Sequence, residues 1–271
     1  MSGEVSCACN MIFVVGHARS GTSLVNKLLL LHPDTAGGNE TRLFKEFARM
    51  VADSDRRGGR SGLFSFHPGR EFPLALIRSF VVRYFEEFAR IEGKRHVVEK
   101  TPSHFLSLER IKDCFPDARI VYCVRDGREV WLSHKQMAAF ESDWAKIPLE
   151  EVADTWKRSV EIAIGQDLFD ADHFRLLRHE DLRLDPLGET RSLYEHCGLT
   201  PSAVEPAAID AAVEQNANLR ARPGYHPGYA GRWEAEMPSD ERARFEAIAG
   251  QALLDAGYQS THVPTGSRRE L

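Results

Sequence analysis

The sequence predicts a three-layer α/β fold, a central parallel β-sheet flanked by helices. Three observations lead there. Short β-branched apolar runs alternate with longer stretches of helical periodicity, the order of strand–helix–strand units. Those runs are apolar throughout rather than at every second residue, as strands covered on both faces must be. The first run also opens directly into a glycine-rich turn and a helix, Val15-Gly16-His17-Ala18-Arg19-Ser20-Gly21-Thr22-Ser23, an arrangement that points helix-terminal amides at an anion.

In chain order, Ile12 to Val15 is the first expected strand, and Ser23 to Leu31 the helix after it, stopped at His32-Pro33. Residues Ala52 to Pro73, rich in Arg and Gly, read as a flexible loop. Helical spacing covers Leu74 to Ile91; His96 to Glu99 is the second strand; Phe105 to Phe115 is a helix ended by Pro116. Arg119 to Val124, "RIVYCV", is the clearest strand, followed by helices over Glu129 to Phe140 and Glu151 to Phe169 and a fourth strand over Phe174 to Leu177. Ala217 to Trp233 is a basic, aromatic loop rich in Gly and Pro, and loops of that length are often functional. Ser239 to Ala256 is the last strong helix, closed by Gly257. With neither a repeat nor a linker, residues 1–271 read as a single domain, its core about 12–258 and its tail, 259–271, flexible.

Composition narrows the function. The 271 residues suffice for a sizeable core, and 42% hydrophobic with 28% charged residues is ordinary globular usage. A net charge of -5 argues against nucleic acid as a partner while leaving room for a local basic pocket. Five cysteines, Cys7, Cys9, Cys114, Cys123 and Cys197, form no C-x-x-C pair and read as reduced thiols. The run "MIFVV" is too short for a signal or a span, and "LVNKLLLL" carries Lys27. A cytoplasmic protein without stable membrane insertion is expected; an oligomer stays open.

The turn almost spells the nucleotide-binding P-loop, G-x-x-x-x-G-K-[ST]. Gly16, Gly21 and Ser23 fit, but Thr22 stands where the lysine belongs. The backbone cradle remains, with hydroxyls on Ser20, Thr22 and Ser23 and a cation on Arg19. "RIVYCV" is followed by Arg125 before Asp126, so the acid that would hold magnesium is missing from its usual strand end. Arg125 instead lies where ligands of open α/β sheets bind, and Ser133 falls about two helical turns later, a pair suited to a second phosphate. His179-Glu180-Asp181, read as a strand end, is no metal triad, because neighbouring side chains there point apart.

Together these pieces resemble the PAPS-dependent sulfotransferases, PAPS being 3′-phosphoadenosine 5′-phosphosulfate. "GHARSGTSLV" is similar to that family's 5′-phosphosulfate loop and "VRDGREVWLS" to its 3′-phosphate motif; "VEKTPSHF", "LRHEDLRLDP" with "LYEHCGL", and the segment from "GRWEAEMPSD" onward follow in the family's order. The resemblance implies a P-loop NTPase-like sulfotransferase fold and transfer of a sulfuryl group from PAPS to an acceptor hydroxyl, releasing PAP without a metal. It assigns Gly16, His17, Ala18, Arg19, Ser20, Gly21, Thr22 and Ser23 to the phosphosulfate, Arg125 and Ser133 to the 3′-phosphate, and Tyr229, Arg232 and Trp233 to a segment closing over the nucleotide. It explains Thr22, because PAPS has no third phosphate for a lysine to reach. Arg19 and Lys100 become the groups that stabilise the transferring group and leaving oxygen. "HPDTAGGNETRLF" is similar to "HP…GEETR" of the tyrosylprotein branch, which makes Glu40 the general base. His104 is the rival base by analogy with the cytosolic small-molecule branch, although it lies four residues after Lys100 rather than two. The acceptor is a small molecule or a peptide. Two other readings stay open, a P-loop kinase using ATP and a non-catalytic PAP-binding regulator.

Overall fold

In the computed structural model, which describes residues 9–38, 40–56, 71–139, 143–218 and 231–260, strand β1 (Asn10–Gly16) forms the middle of an all-parallel sheet. From edge to edge the order is β2 (Thr35–Gly37), β3 (His96–Lys100), β1, β4 (Arg119–Val124) and β5 (Phe174–Arg178). Successive side chains of β1 serve opposite faces. Met11, Phe13 and Val15 enter one apolar cluster, and Ile12 and Val14 another. A strand with no solvent face must be apolar at every position, which is why its run was legible.

Helices α2 (Leu43–Arg56), α3 (Glu71–Glu92) and α4 (Leu108–Cys114) cover the first face, where Phe13 meets the rings of Phe44, Phe85 and Phe115 at 5.7–6.4 Å. The second face is covered by α1 (Thr22–Leu29), α8 (Pro186–His196) and α9 (Pro206–Asn218). A third cluster joins α5 (Gly127–Ala139), α6 (Leu149–Gly165) and α11 (Ser239–Asp255) around Trp156 and Phe245. Short helices α7 (His179–Leu184) and α10 (Arg232–Glu236) complete the α-helices among the described residues.

The four expected strands are present, and β2 is an addition. Thr35-Ala36-Gly37 shows no apolar run; it is a strand because its backbone pairs with His96–Val98 of β3. The expected helix from Phe105 to Phe115 divides into a 3₁₀ turn, Pro102–Ser107, and α4, since Pro102 starts the turn earlier. The loop expected over Ala52 to Pro73 is shorter than read: α2 runs on to Arg56, anchored by buried Phe44 and Val51, and α3 begins at Glu71. Its middle, and that of the loop expected over Ala217 to Trp233, lie outside the described residues. His179, Glu180 and Asp181 do not end a strand; β5 stops at Arg178, and they open α7. Helix α8 escaped the sequence reading although its start is well marked, with Pro186 in the first turn and the Asp185 side chain accepting from the Gly188 amide. Cys9, Cys114, Cys123 and Cys197 are buried, and the last three carry free thiols. Among the described residues, no helix is long and apolar enough to cross a membrane.

Candidate active site at the carboxyl edge of the sheet

All five strands deliver residues to one edge. β1 runs into the 17–21 turn, β2 leads to Glu40, β3 ends on Lys100, β4 is followed by Arg125 and β5 by His179. Chain order departs from spatial order at β1, and the crevice at such a switch point is where open α/β sheets bind ligands. Lys100 ends β3 and Arg125 follows β4, the strands flanking β1; Lys100 is level with Val14 and Val121, so Arg125 lies four residues further along and the two backbones are about 16 Å apart.

The turn after β1 is fixed by two glycines. A Cβ on Gly16 (φ +139°) would lie 2.2 Å from the Cys123 carbonyl oxygen, and one on Gly21 (φ +95°) 2.5 Å from His179 Nδ1. Arg19 (φ 73°) and Arg42 (φ 54°) are the non-glycine residues with left-handed backbone among the described residues, and both belong to this edge. Such strain persists where the surroundings over-determine it, and it gathers at functional sites. Helix α1 starts at Thr22, so the Thr22 and Ser23 amides have no intrahelical acceptor and the positive end of its dipole faces the turn. The Ser20 hydroxyl is buried without a hydrogen-bond partner among the described residues. His17 donates from Nδ1 to the Ala18 carbonyl at 2.8 Å and sets Nε2 3.1 Å from Thr155 Oγ1. Burial pulls its pKa down to about 4; burial, with the charges of His17 and Arg19, pulls His134 to about 3. Both rings are neutral at pH 7, which leaves Arg19 as the cation of the turn.

At the end of β4 the expected phosphate ligands meet. Arg19 Nε donates to Ser133 Oγ at 2.8 Å, and Arg125 Nη1 to the Arg19 carbonyl at 3.4 Å. Trp156 fixes Arg125 from behind, donating from Nε1 to its carbonyl at 2.9 Å. The organising residue is one the sequence reading passed over. Glu129 accepts from Arg125 at 3.2 Å and from the Trp233 amide at 2.9 Å, and Arg232 Nε lies 3.6 Å away. Burial pushes the Glu129 carboxyl up, while Arg125, the Trp233 amide and Arg232 act against that. The Trp233 ring lies 3.4 Å under the Arg128 guanidinium, which is itself bound to Asp126 and Glu246 at 2.7 and 2.9 Å. Asp126, the acid nearest the end of β4, is thus engaged by Arg128. Tyr229 lies outside the described residues.

At the end of β3, Lys100 Nζ donates to Glu40 Oε1 at 2.8 Å, and Arg42 Nε stands 3.8 Å from the other carboxylate oxygen. The Glu40 side chain is 32% exposed and that of Lys100 12%, so solvent reaches the carboxylate. His104 is placed differently. It is fully buried, edge-on to the Phe44 ring, with Nδ1 2.9 Å from Glu99 Oε2. Glu99, also missed from sequence, is buried and accepts from the Thr41 and Thr101 hydroxyls as well. Burial alone would raise its pKa; the hydrogen bonds from His104, Thr101 and Thr41 hold it below the usual carboxylate range. The available signal was a glutamate inside an otherwise apolar strand, since a buried charge demands donors.

The edge therefore combines an anion cradle, a second cationic cluster and, on the other flank, an accessible carboxylate beside an ammonium. Known proteins match this chain along most of its length. A model described as the sulfotransferase family matches residues 11–203. The omega-hydroxy-beta-dihydromenaquinone-9 sulfotransferase of Mycobacterium bovis is 24% identical over 242 residues, covering 69% of this chain and 62% of that protein. Protein-tyrosine sulfotransferase 1 of Danio rerio is 29% identical over 188 residues, covering 68% and 51%. The chain thus spans about half to three-fifths of the length of these curated relatives. The sulfotransferase domain of the Synechococcus PCC 7002 olefin synthase shares the fold, with a TM-score of 0.60, 16% identity and coverage of 93% of this chain and 97% of that one.

Proposed function

Because the chain belongs to the sulfotransferase family, we propose that it transfers a sulfuryl group from PAPS to an acceptor hydroxyl and releases PAP. The observation that carries this reading is the Glu40–Lys100 pair at 2.8 Å, its carboxylate partly exposed at the same edge of the sheet as the anion cradle.

The residues present fit a nucleotide with two anionic ends. The Ser20 hydroxyl is buried without a hydrogen-bond partner among the described residues, and Gly16 and Gly21 keep the backbone clear of side chains. The 16–23 turn and α1 would hold the phosphosulfate; Arg125 and Ser133 the 3′-phosphate, with Arg232 and Trp233 on the nucleotide side. PAPS supplies a sulfuryl group already activated as a mixed anhydride. Glu40 takes the proton from the acceptor oxygen as that oxygen attacks. Lys100 orients Glu40 and, with Arg19, meets the negative charge that develops on the transferring group and leaving oxygen. The Glu40 side chain is partly exposed whereas His104 is sealed, which supports Glu40 as the group that takes the proton. Charge is met throughout by arginine, lysine and amides, so the scheme requires no metal, and the engaged state of Asp126 favours it over a magnesium-dependent kinase.

The named relatives act on a hydroxylated quinone and on protein tyrosine, which supports a small molecule or a peptide as acceptor here. Nucleic acid is not a partner in this reading. The free thiols of Cys114, Cys123 and Cys197 support the reducing cytoplasm as its compartment.

The test is labelled-sulfate transfer from PAPS across phenols, sugars and peptides, run beside thermal unfolding with PAP and with ATP plus magnesium. PAP is expected to raise the melting temperature, and one acceptor class to take up label. Stabilisation by ATP and magnesium but not PAP would mean a kinase; PAP binding without transfer to any acceptor would mean a binding protein.

A further inference from the structure

We propose that Glu99 is the positioning residue of this site: its buried carboxylate clasps the segment that follows β2 and thereby sets Glu40 against Lys100. The proposal rests on the reading of Glu40 as the base.

Glu99 and Lys100 are consecutive residues of β3, and consecutive strand side chains point to opposite faces. Glu40 and Thr41 are likewise consecutive, and the two pairs interlock. Glu40 meets Lys100 at 2.8 Å, while Thr41 donates to Glu99 from its hydroxyl at 2.8 Å and from its amide at 3.3 Å. A third contact follows at once, the Arg42 amide donating to Thr101 Oγ1 at 3.2 Å. Thr101 in turn donates to Glu99 at 2.7 Å.

Three features separate this from ordinary packing. First, a side chain 1% exposed would be apolar if it only filled space, as Val97 and Val98 do on the same strand. A buried carboxylate is tolerated only with donors, and every donor here comes from a residue adjoining Glu40 or Lys100, or from the turn after them. Second, Arg42 holds a left-handed backbone at the point where the chain turns from Glu40 into α2. Its amide is anchored through Thr101 to Glu99, which over-determines that strained turn. Third, His104 acquires a role that suits its burial. Its Nδ1–H donates to the remaining Glu99 oxygen at 2.9 Å, so it orients Glu99 rather than meeting the acceptor.

Thr41→Val removes the hydroxyl at a partly exposed position with little change of volume, and Glu99→Gln removes the charge. For both, kcat for PAPS-dependent transfer is expected to fall about 10- to 100-fold, the scale of a small misplacement of a reacting group. PAP affinity stays within about twofold, because the cradle and Arg125 are untouched. Thr41→Ser recovers most of the loss. In a Glu40→Gln background Thr41→Val adds less than about twofold, since an effect carried through Glu40 has nothing left to act on. Amide hydrogen exchange at Thr41 and Arg42 speeds up in Glu99→Gln. A kcat within twofold of the parent in Thr41→Val, or a loss fully additive with Glu40→Gln, overturns the proposal, and so does unchanged exchange at both amides. Should the parent transfer nothing from PAPS, the proposed activity falls, while the exchange measurement still decides for or against Glu99.

Discussion

Two glutamate–cation pairs flank β1, and they are built for opposite tasks. On the β3 side, Lys100 holds Glu40, which arrives from a segment 60 residues away and is 32% exposed. On the β4 side, Arg125 holds Glu129, which arrives from the next turn of chain, four residues on, and is 1% exposed. Glu129 is also gripped by the Trp233 amide and faces Arg232, so its oxygens are committed. The difference shows that charge type does not decide what an ion pair can do. A carboxylate open to solvent can take a proton from a substrate. One that is sealed and held from several sides can only aim its partner, here a guanidinium placed for a phosphate.

The largest effect that would break this contrast is on turnover. Glu40→Gln is expected to lower kcat for PAPS-dependent transfer about 10²- to 10⁴-fold. Calorimetric PAP affinity and the urea midpoint should barely move, because the pair is partly exposed. Full activity in that variant would remove the distinction between the flanks. Glu129→Gln should act the other way. It leaves Arg125 and Arg232 short of a buried counter-charge, a loss of about 3 kcal/mol in urea unfolding. Bound PAP restores an anion there, so the PAP-induced rise in melting temperature should be larger than in the parent; a smaller rise would mean that Glu129 and the phosphate do not share Arg125.

Acidification gives a smaller and less local effect. His17, His134 and His196 have folded pKa values of about 4, 3 and 4, chiefly through burial, against 6.5 unfolded. Below pH 6.5 the unfolded chain takes up protons that these folded rings refuse. The stability they leave intact above pH 6.5 is therefore lost as pH falls toward 4, by about 2 kcal/mol for each ring at pH 5. Melting temperature measured from pH 7 to pH 5 should fall accordingly. His17 and His134 adjoin the Arg125 flank, so Glu40→Gln should leave that slope unchanged, and a flatter slope in the variant would tie the flanks together.

What was readable from sequence follows from the same contrast. The strands β1, β3 and β4 announced themselves because burial on both faces forces apolar runs, and β5, an edge strand with Leu176 exposed, through the short run from Phe174 to Leu177. β2 could not, since Thr35-Ala36-Gly37 is a strand only by virtue of its pairing with β3. Arg19, Glu40, Lys100, Arg125 and Ser133 were legible as residues attached to motifs. Glu129 was not, because it looks like any charged residue near a helix start until distant donors close around it, and Glu99 offered only the mark of a glutamate in an apolar strand, with nothing to say which donors meet it. Thr41, His104 and Trp233 reach them from other elements, and no local pattern records such meetings. His104 shows the converse: analogy with the small-molecule branch suggested a rival base, and the fold turned the ring inward to Glu99.

The interlock of residues 40–42 with 99–101 also has a bearing on inheritance. Two stretches some 60 residues apart share one fitting, so a change at Thr41 alters what Glu99 can tolerate, and the reverse. Their histories should run together while the surrounding surface drifts. Adjacency matters more than identity. One residue inserted between Glu40 and Thr41, or between Glu99 and Lys100, would leave either clasp able to form but not both at once.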